Sequence, residues 1–181
     1  MKKSNLKPII VLSAICLIVA LILALINSVT SPIIKEAQAK AEKAALQKVL
    51  PDAEAFKDLI IDERYPSSVK KGYKADCGFV FRATVTGKSS GLIIMIGIDS
   101  YGKVVGTEVI SDKETDSYSA NVFPLVSGTD SVYSGMTAES FEPFLVSGAT
   151  LTSKAYGEAV RAALQAFEIA QAELKFDEIG G

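Results

Sequence analysis

The sequence predicts an α+β protein with a single membrane-spanning helix, a stalk helix and an antiparallel sheet closed by a C-terminal helix. Three observations carry that expectation. A 27-residue stretch from Pro8 to Ile34 holds no charge. From Cys77 onward side chains alternate with a period of two. From Thr152 to Leu174, apolar residues recur at the three- and four-residue spacing of a helix.

The core of the uncharged stretch, Ile9 to Ile26, is interrupted only by Ser13. As a helix it would measure about 27 Å, close to the hydrocarbon thickness of a bilayer. A cleavable export signal usually has an apolar core of roughly 7–15 residues before a small-x-small site. This core is longer, and Ala24-Leu25-Ile26-Asn27 makes a poor cleavage site, so the segment reads as a retained span. Lys2, Lys3 and Lys7 precede it, while Lys35, Lys40, Lys43 and Lys48 follow. The tight N-terminal cluster favours a cytoplasmic N-terminus and an extracytoplasmic main domain.

Thr30-Ser31-Pro32 carries a capping hydroxyl and a proline suited to a first helical turn. The Ala-, Glu-, Lys- and Gln-rich run to Leu50 predicts a solvated stalk helix ended by Pro51. The expected division is therefore 1–34 for the N-terminus and span, 35–50 for the stalk and 51–181 for one domain. Within that domain Phe79, Phe81, Ala83 and Val85 alternate with Val80, Arg82, Thr84 and Thr86. A Gly87–Gly91 turn, the apolar run Leu92–Ile98, a second turn at Asp99–Gly102 and the run Lys103–Ile110 complete a meander. The middle run is apolar on both faces and should be covered on both. Residues 111–137 are polar and aperiodic, and read as one long loop.

Composition narrows the chemistry. Among 181 residues, 19 Lys and Arg stand against 21 Asp and Glu, a net charge of −2 without the basic excess of a nucleic-acid binder. Without Lys2, Lys3 and Lys7 the balance is 16 basic to 21 acidic, or −5, so the domain should not cling to anionic lipid. The absence of His excludes His-ligated haem, His-containing zinc sites and Ser-His-Asp triads. Cys16 and Cys77 are too few for a Cys-ligated cluster, and one lies inside the span, so neither a metal site nor a disulfide is expected. Redox chemistry would need an organic cofactor.

One segment could hold such a group. Ser147-Gly148-Ala149-Thr150-Leu151-Thr152-Ser153 crowds four hydroxyls around a glycine turn at the start of the last helix. A hydroxyl that merely caps the helix accounts for part of this pattern. The charges add something else: the first acid is Glu158, while Lys154 stands near the helix start, where the dipole disfavours a cation. Small residues, hydroxyls, open N–H groups and a lysine form the environment a phosphate group needs. Both readings stand on these residues.

Ser147-Gly148-Ala149-Thr150 resembles the S/T-G-A-T/S flavinylation motif of the membrane-anchored, covalent FMN-binding domain family. That family includes the G subunit of the Rnf electron-transport complex and the C subunit of the sodium-pumping NADH:quinone reductase. The N-terminal span, Gly91–Asp99, Gly102–Gly106 and Glu114-Thr115 follow the family's order, so the resemblance covers nearly the whole chain. Length and the single anchor are similar to those of the Rnf G subunits. The resemblance implies an FMN phosphoester on Thr150, added by a flavin transferase. It implies phosphate surroundings from Ser147, Gly148, Ala149, Thr152, Ser153 and Lys154, and ring contacts from Glu114 and Thr115. It further implies partner subunits in an ion-translocating electron-transport complex at the cell membrane, with no nucleic acid. Two departures are visible: Phe144 stands where the family motif usually has Asp, and only Glu114 and Thr115 match the family's H-x-E-T-P-G-L-G loop.

Two other readings remain at this level: a cell-surface flavoprotein outside such a complex, and a cofactor-free anchored binding module in which Thr150 only caps its helix. Tyr118 and Tyr133 are aromatic candidates to stack on a flavin, although an exposed loop position explains each more simply. Leu92, beside a glycine turn, reads as core.

Overall fold

The computed structural model describes residues 6–87, 90–111 and 116–179. Helix α1 runs Leu6–Val49, followed by strands β1 Phe56–Leu59, β2 Val69–Ala75, β3 Gly78–Thr86, β4 Ser90–Asp99 and β5 Val104–Ser111. Helices α2, Asp116–Val126, and α3, Thr150–Ile179, complete the chain. The chain divides into two compact units, residues 1–41 and 42–181.

The first unit is helical over its described residues. Ile9–Ser28 has a mean hydropathy of 3.4 and is long and apolar enough to cross a membrane. Its large apolar side chains, from Ile9 to Ile26, are exposed. Pro32, expected to open a second helix, lies inside α1 instead.

The second unit is an open five-stranded sheet in the order β1-β2-β3-β4-β5, antiparallel throughout. The meander expected from Cys77 onward is β3–β5, and two strands precede it. β4 lies between β3 and β5, with Phe81 opposite Ile96 and Ala83 opposite Ile94 on β3. Pleating sends Leu92, Ile94, Ile96 and Ile98 to one face, where they pack with Phe79, Phe81, Tyr156, Val160, Leu164 and Phe167. The last four of these lie on α3, which lays its apolar stripe across that face.

Met95 and Val80 point the other way and meet Ala45, Leu46, Val49 and Leu50 from the end of α1. β4 is thus covered on both faces, as its composition predicts. This also corrects the expectation of a solvated stalk, because the last turns of α1 form the second layer of the sheet. Gly97 makes that contact possible: a Cβ there would stand 2.2 Å from the Val49 carbonyl oxygen. Beside the sheet, Lys48 pairs with Glu108 on β5 at 2.6 Å.

The polar stretch after β5 is not one loop. It contains α2, with Pro124 in its last turns. The chain beyond α2 then bonds along the outer edge of β5, through Gly128 to Thr107 and Gly135 to Val104. That pairing protects an edge which would otherwise be open to another strand.

Candidate functional site

The hydroxyl-rich segment lies where the chain enters α3. Gly148 has φ +81°, in the left-handed region that a side chain disfavours, and no atom lies within 4 Å of where its Cβ would be. This turn lets the Ala149 N–H reach the Val146 carbonyl at 3.1 Å, while the Ala149 carbonyl accepts the Ser153 N–H at 3.0 Å. Ala149 therefore occupies the N-cap position, and its side chain has no oxygen to offer the first-turn N–H groups. The first turn of α3 contains no acid. A helix start of this kind suits an external anion.

The structure sorts the expected site residues into two sets. Ser147, Gly148, Thr150 and Lys154 are exposed. Thr150 and Lys154 are one helical turn apart, so hydroxyl and ammonium share a face. Ala149, Thr152 and Ser153 are buried, the latter two to 1% exposure. The Ser153 hydroxyl accepts the Val146 N–H at 3.1 Å and donates to the Ala149 carbonyl at 3.0 Å. Its place is beneath the turn, as a support rather than part of the exposed face. Leu145 and Leu151, before and after Thr150 in the chain, are 54% and 60% exposed. Glu114 and Thr115 lie outside the described residues.

A second group of residues, whose joint packing no sequence pattern indicated, lies beside the segment. Tyr133, expected on an exposed loop, is fully buried. Its ring stacks between Phe141, at 5.9 Å and 10°, and Tyr156, at 6.0 Å and 6°. The Arg161 guanidinium lies 5.0 Å from the Phe141 ring centroid. The Tyr133 hydroxyl accepts the Phe144 N–H at 3.3 Å. Burial raises the Tyr133 pKa, partly offset by that N–H, so the phenol stays protonated at neutral pH. Phe144, in the position usual for Asp, is half-buried and packs against the main core. Leu92 is a core residue, and Tyr118 lies within α2. Tyr156 was legible as part of the α3 stripe, but Tyr133 sits in an aperiodic stretch that carries no such signal.

Comparison with known proteins places this region in a family match. Residues 87–165, from the turn before β4 to the middle of α3, match the FMN-binding domain family and enclose the whole Ser147–Lys154 segment. The chain therefore carries an FMN-binding domain. Residues 1–49, which are α1 and the residues before it, match the RnfG N-terminal region. With both regions in order, the chain resembles the RnfG proteins over most of its length. It is 26% identical over 195 residues to the G subunit of the ion-translocating oxidoreductase complex of Pseudomonas aeruginosa strain UCBPP-PA14, covering 92% of this chain and 90% of that one. The corresponding protein of strain PAO1 matches at the same identity and coverage.

The residues present fit FMN. An alanine-capped helix start with a nearby lysine suits the phosphate, and the exposed leucines offer apolar surface to a flavin ring. Among the described residues, no group of His, Cys, Asp and Glu is arranged to hold a metal ion.

Proposed function

We propose that this chain is the flavin-bearing G-type subunit of a membrane-bound, ion-translocating oxidoreductase complex, with FMN joined to Thr150 by a phosphoester. The observation that carries this reading is the exposed Thr150 hydroxyl on the first turn of α3, with Ala149 as N-cap and Lys154 one turn on. An ester phosphate at that hydroxyl would lie against the electropositive helix end. Ser147 and Gly148 border it, Thr152 and Ser153 shape the turn from inside, and Glu114 and Thr115 serve the ring by family position.

Attachment is a phosphoryl-group transfer with no change in oxidation state. Thr150 Oγ forms a bond to the flavin phosphorus as the bond to a leaving group breaks, and its proton passes to a base of the transferase. Free FMN would have to expel water, which is unfavourable in aqueous solution. A flavin dinucleotide suits better, because a nucleoside monophosphate departs. Once attached, the flavin supplies the electron-transfer chemistry, and the chain supplies position and electrostatics. A covalent tether keeps the cofactor on a domain from which a free one would diffuse away.

Other subunits of the complex are the electron partners in this reading. Residues 1–34 hold the chain in the lipid bilayer as a single-pass anchor, residues 35–50 connect that anchor to the domain, and residues 51–181 hold the flavin. The Lys2, Lys3 and Lys7 cluster supports a cytoplasmic N-terminus and an extracytoplasmic flavin domain.

The test is to produce the chain with a flavin transferase and examine the denatured protein. The wild-type band should fluoresce under ultraviolet light and be heavier by one FMN, whereas Thr150→Ala should show neither. Because Thr150 is exposed and does not occupy the N-cap, the variant's stability should stay within about 0.5 kcal/mol of wild type. Unmodified wild-type protein overturns the covalent reading. A modified Thr150→Ala variant overturns the choice of acceptor alone.

A further inference from the structure

We infer that Tyr133 is a positioning residue for flavin attachment, holding the segment that presents Thr150; this rests on the reading of Thr150 as the acceptor. The argument begins on β5. Thr107 is fully buried, and its hydroxyl contacts the Val126 carbonyl and lies 3.2 Å from Ser131 Oγ. Ser131 Oγ in turn accepts the Tyr133 N–H at 3.1 Å. The backbone of Tyr133 is thereby tied to the sheet.

Its side chain is tied to α3. The ring lies parallel to that of Tyr156, whose own hydroxyl donates to the Val126 carbonyl at 3.0 Å. The Tyr133 hydroxyl passes close over Gly157, where a Cβ would stand 3.2 Å from it. Any larger residue at position 157 would press on that oxygen.

Tyr133 therefore has fixed supports on two elements and spends its hydroxyl on a third, the Phe144 N–H of the segment that leads to the motif. Two residues further along, the Val146 N–H is held by Ser153 Oγ. Between these two fixed amides Leu145 projects outward, 54% exposed, and beyond them Gly148 turns the chain so that Thr150 opens α3. Releasing the first fixed point frees the segment at its N-terminal end without removing any group from the exposed face. A transferase that must align the Thr150 hydroxyl with a phosphorus atom would then meet a spread of segment conformations. Misalignment of a nucleophile lowers reaction rate even where the reacting group is unchanged.

The test compares transferase kinetics on three forms of the full-length chain with a flavin dinucleotide as donor. Tyr133→Phe keeps the stacked ring and removes only the hydroxyl. Val80→Ala, in the apolar cluster beneath α1, supplies comparable loss of stability away from the segment. All are assayed well below their unfolding temperatures. Tyr133→Phe should lower the kcat/KM for attachment about fivefold, the factor sustained by one ordinary hydrogen bond. Val80→Ala should be modified at the wild-type rate. A Tyr133→Phe chain modified at the wild-type rate, or a Val80→Ala chain slowed as much as Tyr133→Phe, overturns the role of Tyr133 while leaving Thr150 as acceptor. A wild-type chain that takes no flavin overturns the acceptor assignment itself, and this role with it.

Discussion

Ser153 holds Val146. The serine hydroxyl, inside the first turn of α3, accepts the Val146 N–H at 3.1 Å and directs its own proton to the Ala149 carbonyl at 3.0 Å, with the Thr150 carbonyl 3.2 Å away. One buried side chain thus closes the turn that delivers the hydroxyl-rich segment to the helix. The pattern of hydroxyls in the sequence does not separate a supporting serine from one that faces solvent. Burial does, because Ser153 is 1% exposed whereas Ser147 is exposed.

Ser153→Ala should therefore act through the fold. It strands the partly buried Val146 N–H and removes a donor from the Ala149 carbonyl, at a cost of about 1–2 kcal/mol. Chemical denaturation of the wild-type and variant proteins measures it. A variant as stable as wild type would show that the turn is held by its backbone alone.

Much of the architecture was legible because burial leaves a period in the sequence. β3 alternates from Phe81 to Thr86, β4 is apolar on both faces because α3 and the end of α1 cover it, and α3 repeats Tyr156, Val160, Ala163 and Phe167 along one stripe. β2 was not legible. Its sequence, Val69-Lys70-Lys71-Gly72-Tyr73-Lys74-Ala75, places three exposed lysines among its buried positions and reads as solvated chain. α2 was hidden by Pro124 and by its polar surroundings. The stalk misled because its alanines, with Leu46, Val49 and Leu50 only at its end, do not distinguish a solvated helix from one laid on a sheet. At the site, the exposed residues of Ser147–Lys154 were legible from their chemistry, and their supports were not. Tyr133 meets Phe144 across an aperiodic stretch, and no local pattern encodes such a contact.

The apolar segment of α1 makes a separate prediction. Leu17 is 65% exposed in the middle of Ile9–Ser28, where the surroundings of a spanning helix would be hydrocarbon. Leu17→Arg should weaken membrane insertion by roughly 3 kcal/mol. Membrane fractionation with an alkaline carbonate wash reads the outcome. A variant retained in the membrane pellet as fully as wild type would count against a spanning role for this segment.

A pH effect follows from the point where α1 meets the sheet. Glu42 Oε1 accepts the Tyr73 hydroxyl at 2.6 Å and the Lys71 ammonium at 3.2 Å, and the Arg82 guanidinium lies 3.5 Å away. Burial alone would raise the Glu42 pKa. The hydrogen bonds from Tyr73 and Lys71, with the charges of Lys71 and Arg82, outweigh it and hold the carboxyl below its ordinary value of 4.5. A carboxylate depressed in the folded state adds stability above the unfolded-state pKa, and that stability drains away as pH falls through the folded value. The domain should thus lose thermal stability below about pH 4.5, in the range where unfolded glutamate begins to take up protons. Glu42→Gln should be less stable than wild type at pH 7 and should show a shallower decline between about pH 5 and pH 3. Thermal unfolding of both proteins across that range decides the matter, since parallel curves would mean that the Glu42 cluster contributes nothing to the joint between helix and sheet.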